Sequence, residues 1–109
     1  MALYRCSAKP YSAYTDKDNS SDGAAGSHTF TNLKIGKVYL LLVFASANSP
    51  ISTTRYDGAT ASGASLTKIN NMSGTSIGVA GTFYKLVPSS TTVTVSHSYN
   101  FRSRLFMAE

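Results

Sequence analysis

Thr91-Thr92-Val93-Thr94-Val95-Ser96-His97-Ser98-Tyr99-Asn100-Phe101 is the stretch that decides the fold. Laid out as an extended chain, it puts Val93, Val95, His97, Tyr99 and Phe101 on one side. Thr92, Thr94, Ser96, Ser98 and Asn100 take the other. A period of two, apolar against hydroxyl, describes a strand with one side in a core and the other in water.

The neighbouring segments extend the pattern in both directions. Arg104-Leu105-Phe106-Met107-Ala108 can close as a final strand. Upstream, Pro88-Ser89-Ser90 turns the chain, and residues 76–87 form one or two strands, with Gly78 and Gly81 marking a bend or bulge. Asn70 to Gly74 is another turn. Residues 51–56 are expected to pair with 64–69 across Asp57-Gly58, a preferred turn dipeptide.

The strongest core strand is 37–47, Lys-Val-Tyr-Leu-Leu-Leu-Val-Phe-Ala-Ser-Ala, which is apolar on both faces. Its aromatic and β-branched content, with Gly36 just before it, favours strand over helix. Residues 28–33 form a short strand and turn. Residues 2–9 alternate as a strand ended by Pro10, and the polar stretch 11–27 is expected to be a long loop or arm. About seven or eight strands at this spacing predict one all-β domain over residues 1–109. The class is an antiparallel β-sandwich, jelly-roll or immunoglobulin-like.

Composition narrows the function classes. A chain of 109 residues holds one core. Charged residues are 14%, while roughly a quarter of the chain is Ser or Thr. Such a hydroxyl-rich surface suits secreted proteins, fibres and virion shells better than soluble intracellular enzymes. Cys6 is the one cysteine, so no intrachain disulfide forms. The N-terminal residues lack the long apolar run of a signal peptide. The longest apolar run, Val38 to Ala45, is far short of a membrane span, so no membrane insertion is expected. Extracellular character without export or staples points to a bacteriophage structural protein, assembled in the host cytoplasm and working in the virion.

The net charge of +5 invites a nucleic-acid reading. The ten cations are scattered, however, with Lys34/Lys37 and Arg102/Arg104 the closest pairs, and that scattering argues against it.

Candidate sites are few. Asp16, Asp18 and Asp22 share one segment with amide and hydroxyl neighbours and form a weak candidate for Ca²⁺. Against it, Ser21 and Ser27 stand where an EF-hand needs Gly and Glu, so a solvated acidic loop with no cofactor is the expectation. His28 and His97 lack Cys, Asp or Glu at ligand spacing, and His97 reads as a hydrogen-bonded core or rim histidine. No Walker loop or dinucleotide fingerprint occurs. The five acids are thin for a two-carboxylate site, so no catalytic residue is assigned. A small hydrolase would require Asp57 or Asp16 to meet His28 or His97. Tyrosine offers stacking area with a polar tip. Tyr39, Tyr84 and Tyr99 read as core, whereas Tyr11, Tyr14 and Tyr56 are the interface or ligand-contact candidates.

Leu33-Lys-Ile-Gly36-Lys-Val-Tyr39 resembles the tyrosine-corner approach of fibronectin-type and other immunoglobulin-like sandwiches, with Ile35 where that family usually has Pro. The resemblance implies that the Leu packs, the Gly turns the chain and the Tyr hydroxyl ties back to the backbone. Over residues 28–109, the Leu-x-x-Gly-Lys-x-Tyr segment, the Gly/Ala/Ser-rich hairpins and the Thr-Thr-Val-Thr-Val strand resemble small β-sandwich domains of phage tail fibres, baseplates and capsid decorations. That likeness implies a non-enzymatic virion role, tail component or capsid decoration, with homo-oligomeric contacts and contacts to other virion proteins. It carries over no site residues. The alternative is a module binding a carbohydrate, such as a host-surface glycan, or a receptor.

Overall fold

Alternating burial is carried through the computed structural model, which describes residues 6–16, 26–46, 51–72, 78–99 and 101–108; for 6–16, 46 and 108 it describes the backbone. Eight strands form: β1 (Cys6–Asp16), β2 (Gly26–Phe30), β3 (Tyr39–Ser46), β4 (Thr60–Ser62), β5 (Ala64–Asn71), β6 (Val79–Pro88), β7 (Val93–His97) and β8 (Arg102–Ala108). No helix occurs among the described residues. The strands make two antiparallel sheets, a five-stranded one in the order β1-β8-β3-β6-β5 and a three-stranded one in the order β2-β7-β4.

The pairings nest. β1 joins β8, β2 joins β7 and β3 joins β6. β8 then pairs also with β3, and β7 with β4. The chain is thus one long antiparallel ribbon wrapped across itself, which is jelly-roll winding. An immunoglobulin-like sandwich would pair by a different order of hairpins.

β5 leaves the ribbon and pairs with the outer side of β6. The chain makes this crossing between sheets at Gly63, between β4 and β5. There φ is +83, and a Cβ would stand 2.6 Å from the Thr92 carbonyl oxygen, so only glycine fits. The Gly63 carbonyl accepts from Ser89 N–H at 2.8 Å and Ser90 N–H at 3.1 Å, which pins the corner.

The core lies between the sheets. Tyr39, Leu41 and Val43 of β3, Tyr84 and Leu86 of β6 and Leu105 of β8 meet Phe30, Val93 and Val95 from the smaller sheet. On β7 the observed pattern, with Val93, Val95 and His97 buried and Thr94 and Ser96 half-buried, follows the predicted alternation.

The corner expected at Leu33–Tyr39 is built. Leu33 is buried, and Gly36 adopts φ +80 and donates its N–H to the Pro88 carbonyl at 2.9 Å. The Tyr39 hydroxyl accepts from the Lys34 N–H at 3.0 Å. A local device of one topology therefore serves another, because it needs only a tight turn ahead of a buried strand.

Three expectations about the chain change. Residues 51–56 form turns, not a strand, and β5 pairs with β6 instead. The buried Ile51 and Tyr56 anchor a loop there rather than marking alternate faces. The segment expected as an arm at 11–27 is strand up to Asp16 and again from Gly26, while residues 17–25 lie outside the described residues. Pro10 does not stop β1, because β1 is an edge strand and the register with β8 shifts on either side of Pro10.

Candidate functional site

Two places gather functional side chains: the 51–59 loop at one end of the sandwich, and the outer face of the five-stranded sheet.

The loop is fixed by three side chains from the strands. The Tyr84 hydroxyl donates to the Tyr56 carbonyl and accepts from the Ala59 N–H at 3.2 Å. Burial pushes the Tyr84 hydroxyl pKa above its ordinary value; the Ala59 hydrogen bond pulls the other way. His97 is the second anchor. Its Nδ1 accepts from Tyr99 N–H at 3.1 Å, so Nε2 carries the hydrogen and donates to the Asp57 carbonyl at 3.0 Å. Third, Lys68 Nζ lies 2.7 Å from Asp57 Oδ2.

Rings stack outward from the core along this end. Tyr56 meets His97 at 5.1 Å between centroids, and His97 stacks on Tyr99 at 5.7 Å. The Arg55 guanidinium lies over the Tyr99 ring, 4.3 Å from its centroid, a contact worth about 0.5–1 kcal/mol at an exposed position. Ser52, Thr54, Arg55 and Tyr99 line a surface depression of about 410 Å³. Ser52 and Thr54 hydroxyls share a 2.9 Å hydrogen bond beside it.

The sequence-derived candidates are placed as follows. Tyr56, expected as a loop contact, is only 2% exposed: its ring fills core beside His97, and Tyr99 takes the half-exposed position instead. Tyr11 and Tyr14 lie on β1, with Tyr14 opposite Arg104 in register; their side chains are outside the described residues. Asp57 does meet His97, but through its main-chain carbonyl, while its carboxylate is turned to Lys68 and Thr82. His28 is buried against Phe101 at 4.1 Å, and its Nδ1 is hydrogen-bonded to the equally buried Ser103, a tie between the two sheets. Asp16 ends β1 opposite Arg102; Asp18 and Asp22 fall outside the described residues, as does the side chain of Asp16. Among the described residues no group of three or more His, Cys, Asp or Glu is placed to hold a metal ion.

The outer face was not legible as a site. β3 alternates, so Leu40, Leu42 and Phe44 point away from the core and stay half-buried. Register sets Phe83 beside Leu42 and Lys85 beside Leu40 from β6, and Arg104 beside Leu42 and Phe106 beside Leu40 from β8. Val87 extends the apolar row along β6. Cations that look scattered in sequence, Lys85, Arg102 and Arg104, thereby share one face with three phenylalanines. Only strand register could reveal this, since the residues come from three strands.

No family model matches this chain, and neither a curated protein nor a solved structure matches it. Among the described residues no helix is long and apolar enough to cross a membrane.

Proposed function

We propose that this chain is a non-enzymatic structural protein of a bacteriophage virion, a tail or fibre component or a capsid decoration, acting through protein–protein contacts. The observation that carries the reading is the second apolar face of the five-stranded sheet: Leu40, Leu42, Phe44, Phe83, Val87 and Phe106. They lie on three neighbouring strands, β8, β3 and β6, whose face spans about 330 Å². Apolar patches of a few hundred Å² are often functional, and the cations Lys85, Arg102 and Arg104 on the same face give it the mixed character of a contact surface. The low charge and abundant Ser and Thr fit a particle surface. Jelly-roll winding adds an analogy of fold, since this architecture recurs in viral capsid domains. Among the described residues, geometry supports the non-enzymatic part: His28 and Ser103 are closed in the core, and Asp57 reaches His97 only through its main chain. Peptide mass spectrometry of density-banded particles from the source host tests the reading. The chain is expected in the particle band at many copies, and its confinement to the soluble lysate would overturn the assignment.

A second reading, a glycan- or receptor-binding module, is favoured by the depression beside Arg55 and Tyr99, where a guanidinium held on a ring adjoins two hydroxyls. A glycan array checks it: binding lost in Arg55→Ala supports it, and an array blank for the wild type removes it.

A further inference from the structure

The outer face of the five-stranded sheet has a pattern that matches itself. One row across the strands reads Phe83, Leu42, Arg104, from β6 through β3 to β8. The next row reads Lys85, Leu40, Phe106. In each row a leucine sits on the central strand, with a cation on one side and a phenylalanine on the other. The order is reversed between the rows.

A two-fold axis lying in the interface and running along β3 exchanges the β6 side of one copy with the β8 side of the other. Each leucine then meets its own counterpart. Arg104 of one copy falls over Phe83 of the second, and Lys85 falls over Phe106. We propose that this face seats a second copy of the chain about such an axis, closing a homodimer through a leucine seam flanked by four cation–aromatic contacts. The proposal rests on the assembly reading above and names the partner of that face.

Charge disfavours one placement of the rival axis, and cross-linking of Arg104→Cys separates the other. An axis across the strands lays β8 on β8: at the level of Leu42 it sets Arg104 against Arg104, a like-charge contact, and midway between the rows it sets Arg104 over Phe106 and Leu42 over Leu40, so that no leucine meets its counterpart. The axis along β3 replaces that repulsion with attraction of each cation to a ring face. The interface is isologous, so every contact is made twice. Twisted sheets pack aligned with a crossing of about 30°. For strands about 4.8 Å from the axis, this shifts opposing residues by about 2.4 Å, less than one residue's rise of about 3.3 Å. The pairing of rows therefore survives the twist.

The test uses the full chain in a Cys6→Ser background. Face-packed sheets lie about 10 Å apart, too far for a disulfide, so a short bis-maleimide is the reporter. Sedimentation is expected to show the wild type as a dimer, and Leu42→Cys, on the axis, is expected to cross-link. Ser65→Cys, on the β5 edge of the same face, is expected not to, because its two copies lie about 19 Å apart. An equimolar mixture of Arg104→Cys and Phe83→Cys chains should link, while neither does alone. Arg104→Ala is expected to weaken dimerisation roughly fivefold to thirtyfold, since two symmetry-related contacts are lost. Linking of Arg104→Cys to itself would overturn the axis. A wild-type dimer with no link through Leu42→Cys would overturn the face while leaving assembly through another surface intact. A wild type that stays monomeric at high concentration would overturn the dimer, and only its absence from particles as well would remove the virion reading.

Discussion

The two faces of the five-stranded sheet are built from the same strands yet have different fates. On the inner face, Tyr39, Leu41, Val43, Leu86 and Leu105 are covered by the smaller sheet and lose all contact with water. On the outer face, Leu40, Leu42, Phe44, Phe83 and Phe106 are of the same chemical type and remain half-buried. A strand apolar on both sides calls for two coverings, and the described residues supply one of them. Hydrophobicity alone does not separate a core position from a contact position; what lies across from it does.

The sharpest way to test the contrast is to truncate the inner face. Leu86→Ala removes a fully buried side chain from the centre of the sandwich and should cost about 2–5 kcal/mol, read from urea denaturation. Tyr84→Phe comes next. It leaves the Tyr56 carbonyl and the Ala59 N–H without their hydroxyl partner and should cost about 1–3 kcal/mol. It also changes the response to alkali. Burial raises the Tyr84 pKa in the folded chain, so the native state holds this proton more tightly than the unfolded state does. Stability from this group is complete below about pH 10 and is lost as pH rises through the folded value. Urea midpoints measured across that window should fall less steeply in Tyr84→Phe than in the wild type. On the outer face, Leu40→Ser should cost about 1 kcal/mol or less in the dissociated chain while weakening self-association, and sedimentation together with thermal melting distinguishes the two effects.

Much of the architecture was legible because it is local. The alternation of Val93, Val95 and His97 and the doubly apolar run at 39–45 mark strands without any knowledge of neighbours. So does Leu33-x-x-Gly36-x-x-Tyr39, whose hydroxyl reaches only five residues back. Edges and loops were harder to read. β1 passes through Pro10 because an edge strand can spare an N–H and bulge, which residue type alone does not reveal. Tyr56 sits in a turn-rich loop and so suggests exposure, yet His97 and Tyr84, 41 and 28 residues away in sequence, draw it into the core. The site features were hidden for the same reason. Arg55 finds Tyr99, and Lys85 comes to share a face with Arg104, only once the long-range ladders are set.

The pairing of the first described strand with the last has a mechanical consequence. Cys6 lies opposite Ala108 in antiparallel register, so the described chain enters and leaves at one corner of the sandwich. A pull delivered through those two points would part the β1–β8 ladder one rung at a time, like a zip, while the rest of the body hangs off the line of force. A subunit strung into a fibre by its ends would yield at that seam first, and one clamped by its broad sheet would not feel the load there at all.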